Sequence, residues 1–175
     1  MPLAPWLVAV AIASSIACAS AEVTAQQPQK PVRLSPWRCR LIPVSTLRSV
    51  IDKAMDRSET LRRQCDELAD AGAVVAIEWE TRTDSQSHAR ATMKWQGGVV
   101  AATVKLPPLG DTIVLLAHEL QHVIEQTRRF DLAAEAERPG SGVWKAFGGY
   151  ETQAAVDVSR QVTQELRDNR QSRRK

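Results

Sequence analysis

Two of the three histidines in this chain stand four residues apart, in the sequence His118-Glu119-Leu120-Gln121-His122. Side chains at positions i and i+4 of an α-helix lie one turn apart on the same face, so the two imidazoles can bind a single metal ion. The glutamate after the first histidine can then reach a water molecule on that ion and act as general base. The spacing therefore predicts a zinc site with His118 and His122 as ligands and Glu119 as the catalytic residue.

The segment around this motif is predicted to be an amphipathic helix that begins after Asp111, a favourable N-cap residue. At about 100° per residue, His118, His122 and Glu125 fall on one side of the helix. Two ordinary polar histidines on a solvated helix would give the same five-residue pattern. Apolar residues on the opposite side of the helix favour a functional site instead, because they indicate a helix that packs on the hydrophobic core. This apolar face consists of Ile113, Leu116, Ala117, Leu120, Val123, Ile124 and Thr127.

The five residues from His118 to His122 resemble the zinc-binding helix of the zincin metallopeptidases. The resemblance implies Zn²⁺ as cofactor, peptide-bond hydrolysis as the reaction, and a peptide or protein as substrate. It covers the motif and the helix around it. The metzincin branch does not fit, because Arg128 stands where its third histidine would be. The alternative function is a non-catalytic zinc-binding interaction module, secreted or tethered to the cell envelope.

A catalytic zinc usually has three protein ligands and one open position. The remaining histidine, His88, lies on the polar side of a predicted strand, so we expect a carboxylate instead. Glu151 is favoured, because it begins a stripe that is otherwise apolar on the last predicted helix, and a carboxylate turned toward the core requires a partner. Glu135 and Glu137 are weaker rivals, and the helix dipole alone would also explain an acid in a first turn. The stripe continues through Ala155, Val158, Val162 and Leu166.

A glutamate on a separate downstream helix resembles the gluzincin branch, in which two histidines and a glutamate hold the zinc. Tyr150-Glu151-Thr152 also looks like the second helix of small uncharacterised bacterial proteins thought to be zinc peptidases. The chain departs from the thermolysin-type pattern at Ala155, where an aspartate would orient a histidine. Glu125 is expected either to accept a ring N–H of the second histidine or to compete as a direct ligand. Tyr150 is a candidate stabiliser of the oxyanion, with simple packing as the alternative.

The elements that must position these residues are predicted to form an α+β domain resembling a minimal zincin. Its three-stranded sheet comprises a strand over 73–81 and a hairpin of 88–95 with 99–106, packed against an N-terminal helix, the motif helix and a C-terminal helix. The N-terminal pattern, 45–69, fits one helix or two, with Ser58 as the second N-cap. The other helices are predicted over 131–137 and 150–167. An extended peptide is expected along a sheet edge at Val99 to Lys105.

The first 21 residues contain no charged side chain and include a short apolar run followed by small residues, which is typical of a signal peptide. Residues 22–36, rich in glutamine and proline, are predicted to be a linker, and 37–175 a single domain with a basic tail. The protein is therefore expected to be exported to the periplasm or the extracellular space. Contact with a membrane is expected only through an uncleaved leader or through lipidation at Cys18.

Removal of the leader would leave two cysteines, Cys39 and Cys65, which are predicted to form a disulfide in an oxidising compartment. The alternative is two buried free thiols. The formal charge of +3 arises in the tail, where residues 160–175 contain six basic and two acidic groups, a net +4. That tail has no aromatic residue, so the pattern does not indicate a nucleic-acid partner.

Overall fold

Five helices and two β-sheets form a mixed α+β structure in residues 37–81, 88–146 and 149–172, the parts of the chain that this computed structural model describes. The predicted leader and linker lie outside the described residues. The helices and strands are β1 Arg40–Pro43, α1 Ser45–Met55, α2 Glu59–Asp70, β2 Val74–Trp79, β3 Arg90–Gln96, β4 Val99–Leu106, α3 Thr112–Thr127, α4 Leu132–Ala136, β5 Val143–Ala146, β6 Gly149–Thr152 and α5 Gln153–Ser172.

The main sheet has four strands in the order β1-β2-β4-β3, with β1, β2 and β4 parallel and β3 antiparallel to β4. The prediction of a three-stranded sheet is therefore wrong. The missed strand, β1, has only four residues, too few to show an alternating pattern, and it pairs in parallel with β2, a partner more than 30 residues away in sequence. The disulfide between Cys39 and Cys65, which was predicted, is present and joins the residue before β1 to α2.

The sheet also corrects the expected position of a bound peptide. Residues Val99 to Lys105 belong to β4, which is paired on one side with β2 and on the other with β3, so this strand has no free edge. The edge strand on that side of the sheet is β3. Its residues Ala91 and Met93 line the cleft described below, together with side chains of α3.

One hydrophobic core joins the sheet to the helices. Alternate residues of β2 and β4, including Val75, Ile77, Val100 and Val104, are at most 1% exposed, as expected for one face of a pleated sheet. They pack with the apolar side of α3, which is the side predicted from its helical spacing. α3 begins at Asp111, whose carboxylate accepts the backbone N–H of Val114. This packing fixes α3 with its two histidines turned away from the core.

The N-terminal helical pattern forms two helices. Ser58 is the N-cap of α2, and its hydroxyl accepts the backbone N–H of Leu61 at 3.1 Å. Glu165 of α5 accepts hydrogen bonds from the hydroxyls of Ser58 and Thr60, which are both fully buried. The carboxylate therefore holds the C-terminal half of α5 against the start of α2.

The region after α4 differs from the prediction. β5 lies between the two predicted helices, where no strand was predicted. Tyr150 and Glu151 lie in β6, the second strand of a small antiparallel hairpin, rather than in the last helix. α5 begins at Gln153 and continues to Ser172, five residues beyond the predicted end at Arg167. Thr152 sets this start, because its Oγ1 accepts the backbone N–H of Ala155 at 3.1 Å.

Across the three described ranges, no helix has both the length and the apolar character needed to cross a membrane.

Candidate metal centre

The three side chains predicted as zinc ligands converge on one point. His118 Nε2 lies 3.1 Å from Glu151 Oε2, and His122 Nε2 lies 3.5 Å from Glu151 Oε1. One potential ligand atom from each residue can be chosen so that all three lie within 4.8 Å of one another. The two imidazoles are neighbours on α3, with ring centroids 5.0 Å apart. Helical spacing thus places the histidines together, and tertiary structure adds the carboxylate.

Glu151 reaches the histidines from a strand, whereas the sequence predicted that it lies at the start of the last helix. It lies in β6, directly opposite Trp144 of β5. The backbone N–H of Thr152 donates to Glu151 Oε1 at 2.8 Å, which restricts the orientation of the carboxylate. Its side chain is 22% exposed, and those of His118 and His122 are 19% and 12% exposed. The group is therefore partly shielded but still reachable from solvent.

The predicted rival ligands lie elsewhere or have another partner. Glu135 forms an ion pair with Arg138, and Glu137 forms one with Lys145. Neither glutamate belongs to the converging group. His88 lines the adjoining cleft and is also outside that group.

Glu125 contacts the second histidine at the nitrogen that faces away from Glu151. Its Oε2 lies 3.1 Å from His122 Nδ1, while its Oε1 accepts a hydrogen bond of 2.7 Å from the hydroxyl of Thr152. The glutamate is only 6% exposed. Of the two roles expected from the sequence, this geometry corresponds to the acceptor of a ring N–H. Thr152, which orients the glutamate, was not identified from the sequence.

His118 has a corresponding neighbour that sequence reasoning also missed. Its Nδ1 lies 3.1 Å from the hydroxyl oxygen of Ser159, on the second turn of α5. A serine is too common a residue to be selected from composition alone. The available signal was its place eight residues after Glu151, on the helix that follows the predicted ligand.

Glu119 lies on the cleft side of α3 beside the histidines and is 6% exposed. Its carboxylate accepts a backbone hydrogen bond from Ala91 of β3. Burial, assisted by the nearby charge of Glu151, raises the pKa of Glu119 to about 7, although His122 and the hydrogen bond act in the opposite direction. This carboxyl group can therefore hold or release a proton near neutral pH.

The two imidazoles have unlike electrostatic environments. Burial lowers the pKa of His118, because desolvation outweighs the attraction of Glu151. Burial also opposes the charged form of His122, but the carboxylates of Glu125, Glu119 and Glu151 outweigh it and raise the pKa of that histidine.

The donor set fits a divalent metal ion. Two imidazole nitrogens and one carboxylate oxygen are the protein ligands found in one class of catalytic zinc sites. Three carboxylates, from Glu119, Glu125 and Glu151, also lie in this partly buried region, and no lysine or arginine among the described residues forms an ion pair with them. A divalent cation would offset that negative charge.

The cluster opens into a cleft of about 780 Å³. One wall is β3, and another is formed by the β5–β6 hairpin, including Tyr150 and Glu151. Glu119, His118 and His122 lie between these walls. The motif residues and Tyr150 therefore line the same cleft.

Comparison of this chain with protein-family models, with curated proteins and with solved structures found no match.

Proposed function

We propose that this protein is an exported, zinc-dependent metallopeptidase with a zincin-like, specifically gluzincin-like, arrangement of ligands. The observation that supports it best is the convergence of His118, His122 and Glu151 at the wall of a cleft, with the buried carboxyl group of Glu119 on the same helix. An exported protein is consistent with the Cys39–Cys65 disulfide, since disulfides persist in oxidising compartments.

In this proposal the three converging residues hold Zn²⁺, which when bound lowers the pKa of water and polarises a carbonyl group. Glu119 accepts the proton of the attacking water and transfers it to the amine that leaves as the peptide bond breaks. The N–H of Ala91 orients the Glu119 carboxylate. Tyr150 lines the same cleft, where its hydroxyl is the candidate donor to the developing oxyanion.

A peptide substrate is best accommodated along β3 in an extended conformation. Among the residues that the structure describes, β3 pairs only with β4, so its other edge can bind a strand through main-chain hydrogen bonds. That edge borders the cleft, because Ala91 lines the cleft and its backbone N–H donates a hydrogen bond to the Glu119 carboxylate. Recognition through the main chain is compatible with many peptide sequences, so we expect broad cleavage specificity.

The proposal is tested by Glu119→Gln in the purified mature protein. The amide has nearly the shape of the carboxylate but cannot accept the proton, so hydrolysis of a peptide library should fall by about 10²-fold or more while zinc content and fold are retained. Wild-type cleavage should also stop when a zinc chelator is added and return with zinc.

A zinc-loaded wild-type protein that cleaves no peptide, with or without chelator, would contradict the enzymatic proposal. That result would favour the alternative, a zinc-binding interaction module without turnover. Metal analysis of the same samples separates this outcome from a failure to bind zinc.

A further inference from the structure

We propose that Ser159 is a positioning residue of the metal centre, whose hydroxyl accepts the Nδ1–H of His118 and thereby turns Nε2 of that imidazole toward Glu151. This inference rests on the zinc site of the proposed function. The two atoms, Ser159 Oγ and His118 Nδ1, are 3.1 Å apart, and both side chains are partly buried between α3 and α5. Water therefore competes less with this contact than it would on an open surface.

The direction of the hydrogen bond follows from the other contact of Ser159. Its hydroxyl also lies 3.0 Å from the carbonyl oxygen of Ala155, one turn earlier in α5, and donates to it. A hydroxyl has a single hydrogen and two lone pairs. With that hydrogen used, Oγ offers His118 only a lone pair. The hydrogen must then be on Nδ1 of the imidazole, which leaves the lone pair of Nε2 for a metal ion.

His122 has a corresponding hydrogen-bond partner, and this partner is a carboxylate. His122 Nδ1 contacts the carboxylate of Glu125, which is itself held by the hydroxyl of Thr152. Thr152 accepts the backbone N–H of Ala155, the residue whose carbonyl holds Ser159. The backbone of Ala155 thus bonds to two side chains around the site. Its carbonyl accepts from Ser159, which contacts His118, and its N–H donates to Thr152, which holds Glu125. α5 supplies none of the three converging side chains, and it contributes Ser159 and the backbone of Ala155 to the hydrogen bonds around them.

Ser159 and Glu125 differ in charge, and this difference determines how much zinc affinity we expect to be lost when Ser159 is replaced. Hydrogen bonds to an ionised acceptor are about twice as strong as neutral ones. Loss of a residue that orients a metal ligand typically weakens metal binding by 10- to 100-fold. Because the Ser159 hydroxyl is neutral, we expect an effect at the lower end, about tenfold.

The test is a zinc dissociation constant, measured by competition with a chromophoric chelator, for wild type, Ser159→Ala, Ser159→Thr and Thr163→Ala. Ser159→Ala should bind zinc about tenfold more weakly, and Ser159→Thr, which keeps the hydroxyl, should remain within about twofold of wild type. Thr163→Ala is the matched control. It removes the same kind of bond, from Thr163 Oγ1 to the carbonyl of Ser159 at 2.8 Å, one turn further along α5.

A second readout is the NMR signal of the His118 Nδ1–H proton in the zinc-loaded protein. It should be shielded from exchange with water in wild type and in Thr163→Ala, and should exchange rapidly in Ser159→Ala. If Ser159→Ala does not fold, the wild-type signal decides: rapid exchange would overturn the inference. Equal zinc affinity and equal exchange in wild type and Ser159→Ala would also overturn it, while the zinc site stands. Wild-type protein that binds no zinc would overturn the proposed function and this inference with it.

Discussion

Replacing Glu119 by glutamine should change the pH dependence of stability in metal-free protein. The folded protein binds the Glu119 proton with a pKa of about 7, against an ordinary value of 4.5. Between these two pH values the folded state keeps a proton that the unfolded chain has released. The unfolding free energy should therefore fall as pH rises, by about 1.4 kcal/mol per pH unit for this single group.

Over the whole interval the loss amounts to about 3 kcal/mol, an order-of-magnitude figure for a side chain that is 6% exposed. The contribution of Glu119 is fully present below pH 4.5 and is lost as pH rises through about 7. Glutamine cannot titrate, and its amide oxygen can still accept the N–H of Ala91. The unfolding free energy of Glu119→Gln should consequently fall less than that of wild type over this pH range, so the variant becomes more stable relative to wild type as pH rises.

The assay is urea unfolding of metal-stripped wild type and Glu119→Gln, with the disulfide intact, at several pH values. The difference between the two proteins is the informative quantity, because groups that do not interact with Glu119 titrate alike in both. Unfolding free energies that change in parallel from pH 4.5 to pH 7 would refute the reasoning. They would mean that the carboxyl group is better solvated than its position between α3 and β3 implies.

Two further predictions concern the ligands and the disulfide. His118→Ala should abolish binding of the single zinc ion, and Glu151→Ala should weaken it strongly. Glu135→Ala alters a carboxylate outside the cluster and should leave zinc content unchanged. Metal analysis after dialysis measures this, and zinc loss in Glu135→Ala would contradict the ligand assignment. Replacing Cys39 and Cys65 by serine opens a loop of 26 residues and should lower the unfolding free energy by about 3.5 kcal/mol on the chain-entropy estimate. Equal urea midpoints for the serine variant and wild type would contradict that value.

The motif helix was predictable because its determinants are local. Its apolar residues repeat at helical spacing, Asp111 caps its start, and the two histidines are one turn apart. Each of these relations is contained within about four consecutive residues, where backbone geometry alone decides which side chains share a face. The same holds for Ser58, whose hydroxyl caps α2 by accepting the backbone N–H three residues ahead.

The route by which Glu151 reaches the histidines was decided by tertiary structure. Its spacing to Ala155 and Val162 fits an apolar helix stripe, yet the residue lies in a strand, because it pairs with Trp144 and the helix begins only after the cap at Thr152. Strand pairing depends on a partner elsewhere in the chain, so periodicity within one segment could not distinguish the two structures. A carboxylate among apolar residues was nevertheless a useful signal, since the partly exposed Glu151 side chain lies beside both histidines.

The contacts that orient the site also required the folded chain. Ser159 lies 41 residues from His118, and Thr152 lies 27 residues from Glu125. Hydroxyl residues are common, and nothing in their local pattern marks which of them will face an imidazole. The sequence by itself determined that His118 and His122 share one face of α3, because their four-residue spacing is a local property of a helix. Packing of α5 and of the β5–β6 hairpin against α3 decided what surrounds them, because those contacts join segments whose separation in sequence carries no geometric information.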